Sequence, residues 1–223
     1  MGNFDHDNSH SDHEWDDSWE TVWNEFDWER YLSSEDNEIK KYQKLYNKLL
    51  MSQNRLDEVA IYMGWDGAAN QDALPEAIES SADSIQDQPY TLHKHPLFIA
   101  SKALHSWLID QWTQHIALCS SQIGSLEAVK LQQALSQSDY YGLLAVTALD
   151  VGDYSLGIAY FKRGMSSVNL ILSLLDQFDM QQIEALTRYS KQARIRLFDI
   201  REIWLRVMAD CRTAVANKRS EEE

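Results

Sequence analysis

Apolar residues recur along most of this chain at the three- and four-residue spacings that place them on one side of a helix. After the polar start MGNFDHDNSHSDHE, the residues Trp15, Trp19, Val22, Trp23 and Phe26 fall within about 100° of one another on a helical wheel. Asp16, Asp17, Glu20, Glu25 and Asp27 lie mostly elsewhere on it. The pattern predicts a mobile stretch over 1–14 and an acidic amphipathic helix over 15–31 with a tryptophan stripe. Ser33 or Ser34 can cap a second helix that runs to about Met63, with Ile39, Tyr42, Leu45, Tyr46, Leu49 and Leu56 facing inward and Gly64 as its stop. Gly67, Pro75 and Pro89 among many Ser, Asp and Gln mark a long connection at about 65–95.

Pro96 suits the first turn of a helix reaching about Ser121, because its missing N–H would be unpaired there anyway. Gly124 precedes a helix over 125–136, and two more, over 139–151 and 154–178, are expected to meet at Gly152-Asp153, where Gly ends one and Asp caps the other. The last helix, from about Met180 to Ala216, is the longest. Its residues Ala193, Leu197, Ile200, Ile203, Trp204, Val207, Met208, Cys211 and Val215 share a face about 140° wide, enough to pack against two neighbours. The chain reads as an acidic arm, 1–32, followed by one all-α domain, 33–223, a bundle of about six to eight helices.

Composition agrees with that reading. Only 8 Gly and 3 Pro occur in 223 residues, and 44% hydrophobic with 25% charged residues is a globular balance. Cys119 and Cys211 are too few for a disulfide framework and fit a reducing cytosol. The acidic, His-rich start lacks the basic and apolar regions of a secretory leader, and no 18-residue apolar run occurs, so neither export nor a membrane span is expected.

The net charge of −15 is unevenly placed. Residues 1–90 hold 21 acidic against 6 basic residues, whereas residues 91–223 hold 14 of each. Such an acidic arm repels nucleic-acid phosphates and anionic lipid and attracts cationic partners. The final helix answers it, with nine basic and three acidic residues over 188–219. Arg194, Arg201 and Arg212 form a stripe beside its apolar face. Arg196 projects onto that face, where an unpaired charge is costly, so a carboxylate partner is expected for it. Trp15, Trp19, Trp23 and Phe26 on the arm, with Arg194, Arg201 and Arg212 opposite, are therefore candidate partner-binding residues. The tryptophans should hold the arm on the bundle and the charges should orient it, within one chain, across a homodimer or through a separate partner.

The segment 138–166 places Tyr141, Leu144, Ala145 and Ala148 on one helix, a Gly152-Asp153-Tyr154 corner, then Gly157, Phe161 and Gly164 on the next. This resembles a single tetratricopeptide repeat hairpin, in which small residues let two helices approach and an aromatic fills the groove between them. The resemblance implies antiparallel helical hairpins and a protein-binding role. No second copy occurs at a 34-residue period, and an ordinary helical hairpin is the alternative.

Chemical motifs are sparse. His105 and His115 share a helix face with Trp112, and with Arg196 as an anion clamp they form a candidate ligand pocket. Each histidine could equally make one hydrogen bond to a neighbouring helix. No carboxylate-bundle, zinc-protease, nucleophile-elbow or P-loop pattern occurs. His6, His10 and His13 read as a solvated tail, so no metal or other cofactor is expected. The leading expectation is a cytoplasmic, non-enzymatic adaptor or regulator that binds another protein; a helical small-molecule or metal-binding enzyme centred on His105 and His115 is the alternative.

Overall fold

The computed structural model of the protein describes residues 23–65, 92–119, 122–180 and 184–222. Asn24 starts its first helix: its side-chain oxygen accepts the backbone N–H of Phe26 at 2.8 Å and of Asp27 at 3.1 Å, and the Asp27 carboxylate accepts the Asn24 N–H at 3.2 Å. That reciprocal box satisfies three donors that a helix end leaves open. Helix α1, Glu25–Lys48, then runs without interruption through Ser33 and Ser34. These serines are interior, so the arm boundary expected near residue 32 falls inside a helix, and the helix expected over 15–31 is interrupted at Asn24, the extended residue from which the chain enters α1.

The single helix expected to reach Met63 is broken in two. Ser52 Oγ accepts the Asn54 N–H at 3.3 Å and donates to Glu58 at 2.6 Å, a local alternative to helical bonding, and α2, Arg55–Met63, begins beyond it. Gly64 ends α2 in the left-handed region, φ 76°, as expected. After a 3-10 turn at Leu92–Lys94, α3 spans Pro96–Cys119.

The two helices expected over 125–151 are one, α4, Ser125–Asp150. No Gly or Pro stands between Leu135 and Asp139 to stop it, and Ser138 is buried. Gly152, φ 80°, and Asp153, whose carboxylate accepts the Leu156 N–H at 2.9 Å, make the corner before α5, Tyr154–Met180. Last comes α6, Glu184–Glu222. The described residues thus form an all-α bundle of six α-helices without strands. Among them no helix is long and apolar enough to cross a membrane.

Small residues decide how the helices nest. α4 and α5 pack as a hairpin, close enough that a Cβ at Gly157 would meet Leu149 Cδ2 at 2.8 Å. Into the outer groove of that pair α6 drives Trp204, which is fully buried against Phe161, with ring centroids 5.6 Å apart, and against Gly142 and Gly164. Its indole N–H donates to Ser101 Oγ of α3 at 3.3 Å. Ala193, Leu197, Ile200, Met208 and Cys211 are buried on the same side of α6, which packs on α3 and α5 as its wide apolar face requires. α1 lies against α3, with Tyr42, Leu45 and Tyr46 in the core.

Candidate docking surface

The expected ligand residues are taken up by packing contacts, with Trp112 and His115 both against Tyr189, at 5.7 and 5.4 Å between ring centroids. His105 is fully buried: Nδ1 lies 2.8 Å from the Ser101 carbonyl and Nε2 lies 2.9 Å from Ser138 Oγ. A carbonyl only accepts, so Nδ1 carries the proton and the Ser138 hydroxyl donates to Nε2. Trp112 is buried between Phe178 and Tyr189, at 5.8 and 5.7 Å between ring centroids. His115 is half-buried, bonded through Nδ1 to the Gln111 carbonyl at 2.7 Å. Two clefts stand out among those formed by the described residues. One, about 320 Å³, is lined by Ile116, Ile123, Ala128 and Val129; the other, about 230 Å³, by Glu35, Phe98, Lys102, Asp139 and Leu143. None of His105, Trp112, His115 and Arg196 lines either cleft.

Arg196 corrects a further expectation. It has no carboxylate partner among the described residues: it donates to Asn47 Oδ1 at 2.6 Å and to the Gln192 carbonyl at 3.1 Å, and its guanidinium lies 3.4 Å from the centre of the Trp107 ring. An aromatic face and an amide replace the anion. Burial pushes its pKa down to about 10, still charged at neutral pH. The nearby carboxylate, Asp199, is held by Arg55 at 2.5 and 2.6 Å and by the Tyr46 hydroxyl. Sequence reading passed over Asp199, whose only signal is an acid set in the apolar run Leu197-Phe198-Asp199-Ile200.

The buried imidazoles make stability depend on pH. Burial lowers the pKa of His105 and of His95, whose Nδ1 accepts the Leu97 N–H at 3.2 Å. The unfolded chain then binds protons that the folded one refuses, so stability is complete above about pH 6.5 and falls as the pH drops below it. Urea unfolding between pH 6.5 and 5.5 is expected to lose up to about 1.4 kcal/mol per pH unit through the fully buried His105, and His105→Gln should flatten that slope.

Of the candidate partner-binding residues, Trp15 and Trp19 lie outside the described residues. Trp23 is half-buried, edge-on to Trp28 and Tyr31 at 4.8 and 5.3 Å, so it packs on the start of its own helix. Phe26 points away from that cluster and is 72% exposed. Arg194 pairs with Asp176 and Asp179 of α5 at 2.8 and 2.7 Å. Arg206 likewise pairs with Asp57 of α2 at 2.6 Å and with Glu202 at 2.9 Å.

The rest of the outer face of α6 is uncommitted. Lys191, Phe198, Leu205 and Arg212 recur every seventh residue and are exposed, Phe198 at 53% and Leu205 at 44%. Arg201, beside them, is half-buried with its guanidinium 5.8 Å from the Phe198 ring centre. Lys191, Arg201 and Arg212 form no ion pair with another described residue. Sequence reading found Arg201 and Arg212 but missed Phe198 and Leu205, whose signal is two large apolar residues, seven apart, outside the main apolar face.

Fold and surface together define an all-α bundle whose longest helix presents a basic, partly apolar seam to solvent. Compared with family models, with curated proteins and with solved structures, the chain matches none.

Proposed function

We propose that this protein is a non-enzymatic adaptor or regulator that binds a partner protein through the outer face of α6. The observation that carries this reading is Phe198 and Leu205, exposed at a seven-residue spacing and flanked by Lys191, Arg201 and Arg212. A heptad seam suits a helix laid alongside, and cations at its edges select an acidic one. Apolar side chains supply the affinity, while exposed charges steer approach and reject basic helices. The tetratricopeptide-like corner at Gly152-Asp153 supports a protein-binding role.

A designed acidic helical peptide with apolar residues at heptad spacing, titrated by fluorescence anisotropy, tests the reading. It should bind at least about tenfold tighter than the same peptide with Lys in place of its acids, and Phe198→Ala with Leu205→Ala should weaken it about tenfold or more. Equal binding of both peptides, or indifference to the double substitution, would reject the reading. Both replaced side chains are exposed, so the bundle itself should be unaffected.

A further inference from the structure

The identity of the helix that fits this seam can be read from the same chain. We infer that the outer face of α6 receives the acidic tryptophan segment, residues 15–26, of a second copy of this chain, each copy giving its segment and lending its face. The inference rests on the protein-binding reading of α6 and names the partner.

Three observations lead to it. The first is charge: residues 1–22 contain seven acidic residues and no Lys or Arg, and Glu25, Asp27 and Glu29 follow, whereas Lys191, Arg201 and Arg212 on the seam form no ion pair with another described residue. The second is spacing. Trp15, Trp19 and Val22 step by four and three, the spacing that presents a seam to Phe198 and Leu205, and the run ends before the non-helical cap Asn24. Phe26, in the first turn of α1 just beyond that cap, is 72% exposed.

The third observation is where the segment leaves the bundle. The N-terminal half of α1 lies over the cleft that Glu35 shares with Phe98, Lys102, Asp139 and Leu143, on α3 and α4. From within, Trp204 on the inner face of α6 meets Ser101 of α3 and Gly142 of α4. At the level of Glu35, then, α3 and α4 stand between α1 and the inner face of α6. A second copy meets no such obstacle, and a two-fold arrangement satisfies both segments at once.

Light scattering on the full-length chain, read with two sets of substitutions, tests this. At about 50 μM and low salt the wild-type chain should run near twice its 25.8 kDa, and should shift toward monomer at about 0.5 M salt. The chain with Trp15→Ala and Trp19→Ala, and the chain with Arg201→Glu and Arg212→Glu, should each run as monomers with unchanged helical circular dichroism. Mixed in equal amounts they should regain a dimer, because one intact segment then meets one intact face. A monomeric wild-type chain, or a dimer that survives both sets of substitutions, overturns the inference.

The acidic designed peptide, titrated into the Trp15→Ala and Trp19→Ala chain, separates the two claims. Binding there beside a monomeric wild-type chain would leave α6 as a docking face and remove only the second copy as its occupant. Failure to bind there would remove the docking face itself, and this inference with it.

Discussion

Trp204→Ala should cost about 3–5 kcal/mol of folding free energy, the largest loss expected from any single substitution considered for this bundle. The side chain is fully buried and holds three helices in register from a fourth. It stacks near His105 and Phe161, with ring centroids 5.8 and 5.6 Å away, donates to Ser101, and occupies the space that Gly142 and Gly164 leave open. Truncation leaves a cavity whose walls are helix backbones, which collapse poorly. The complementary change is Gly164→Ala, since its new Cβ would lie 2.7 Å from the Trp204 ring and 3.5 Å from Tyr141 Cβ. Its cost should shrink when combined with Trp204→Leu, and urea midpoints of the four proteins in that cycle measure the coupling. Additive costs would mean that Gly164 and Trp204 do not depend on each other.

The second large effect is expected at Asp199. Asp199→Ala should destabilise by about 3 kcal/mol, because it strips the partner from Arg55 and from the Tyr46 hydroxyl together and leaves them in a largely dry site. Asp199 is buried and the Arg55 side chain is 21% exposed, so water can recover part of the loss on the arginine side. The network ties α1 and α2 to α6 over more than a hundred residues of sequence, through Tyr46, Arg55 and Asp199. Hydrogen exchange should therefore show earlier loss of amide protection in α1 and α2 than in α5 when Asp199→Ala is warmed. Asp199→Asn, which can still accept from Tyr46, should cost less; if it costs as much as Asp199→Ala, the charge on Asp199 and not its geometry is what matters.

Arg196 shows why the interior polar groups resist sequence reading. Its position on the apolar face of α6 was visible as a problem that needed a solution. The solution, Asn47 from α1 and the Trp107 ring from α3, joins residues from three helices far apart in sequence. A carboxylate does lie one turn away, but Arg55 takes it. No local pattern could assign Asp199 to Arg55 in preference to Arg196. The same holds for His105, whose role depends on meeting Ser138 of α4.

Elements were legible where the chain carries an explicit stop: Gly64, Pro96, Gly124 and the Gly152-Asp153 corner all bound helices as expected. They were misdrawn where the only signal was a Ser in an otherwise helical run. Ser33 and Ser34 sit inside α1, since neighbouring apolar contacts outweigh the modest preference of serine for a cap.

By itself the sequence determined the all-α class, the concentration of negative charge before residue 91, and the wide inner face of α6, because each depends on composition or on spacing along one helix. Tertiary structure alone decided which polar groups became interior ties and which remained available. Arg194 and Arg206 look like Arg201 and Arg212 in sequence, yet Asp176, Asp179 and Asp57 on neighbouring helices neutralise the first two. What is left over, Lys191, Phe198, Arg201, Leu205 and Arg212, is the docking surface proposed above. A helix wheel ranks residues by angle; only packing against other helices shows which angles are already filled.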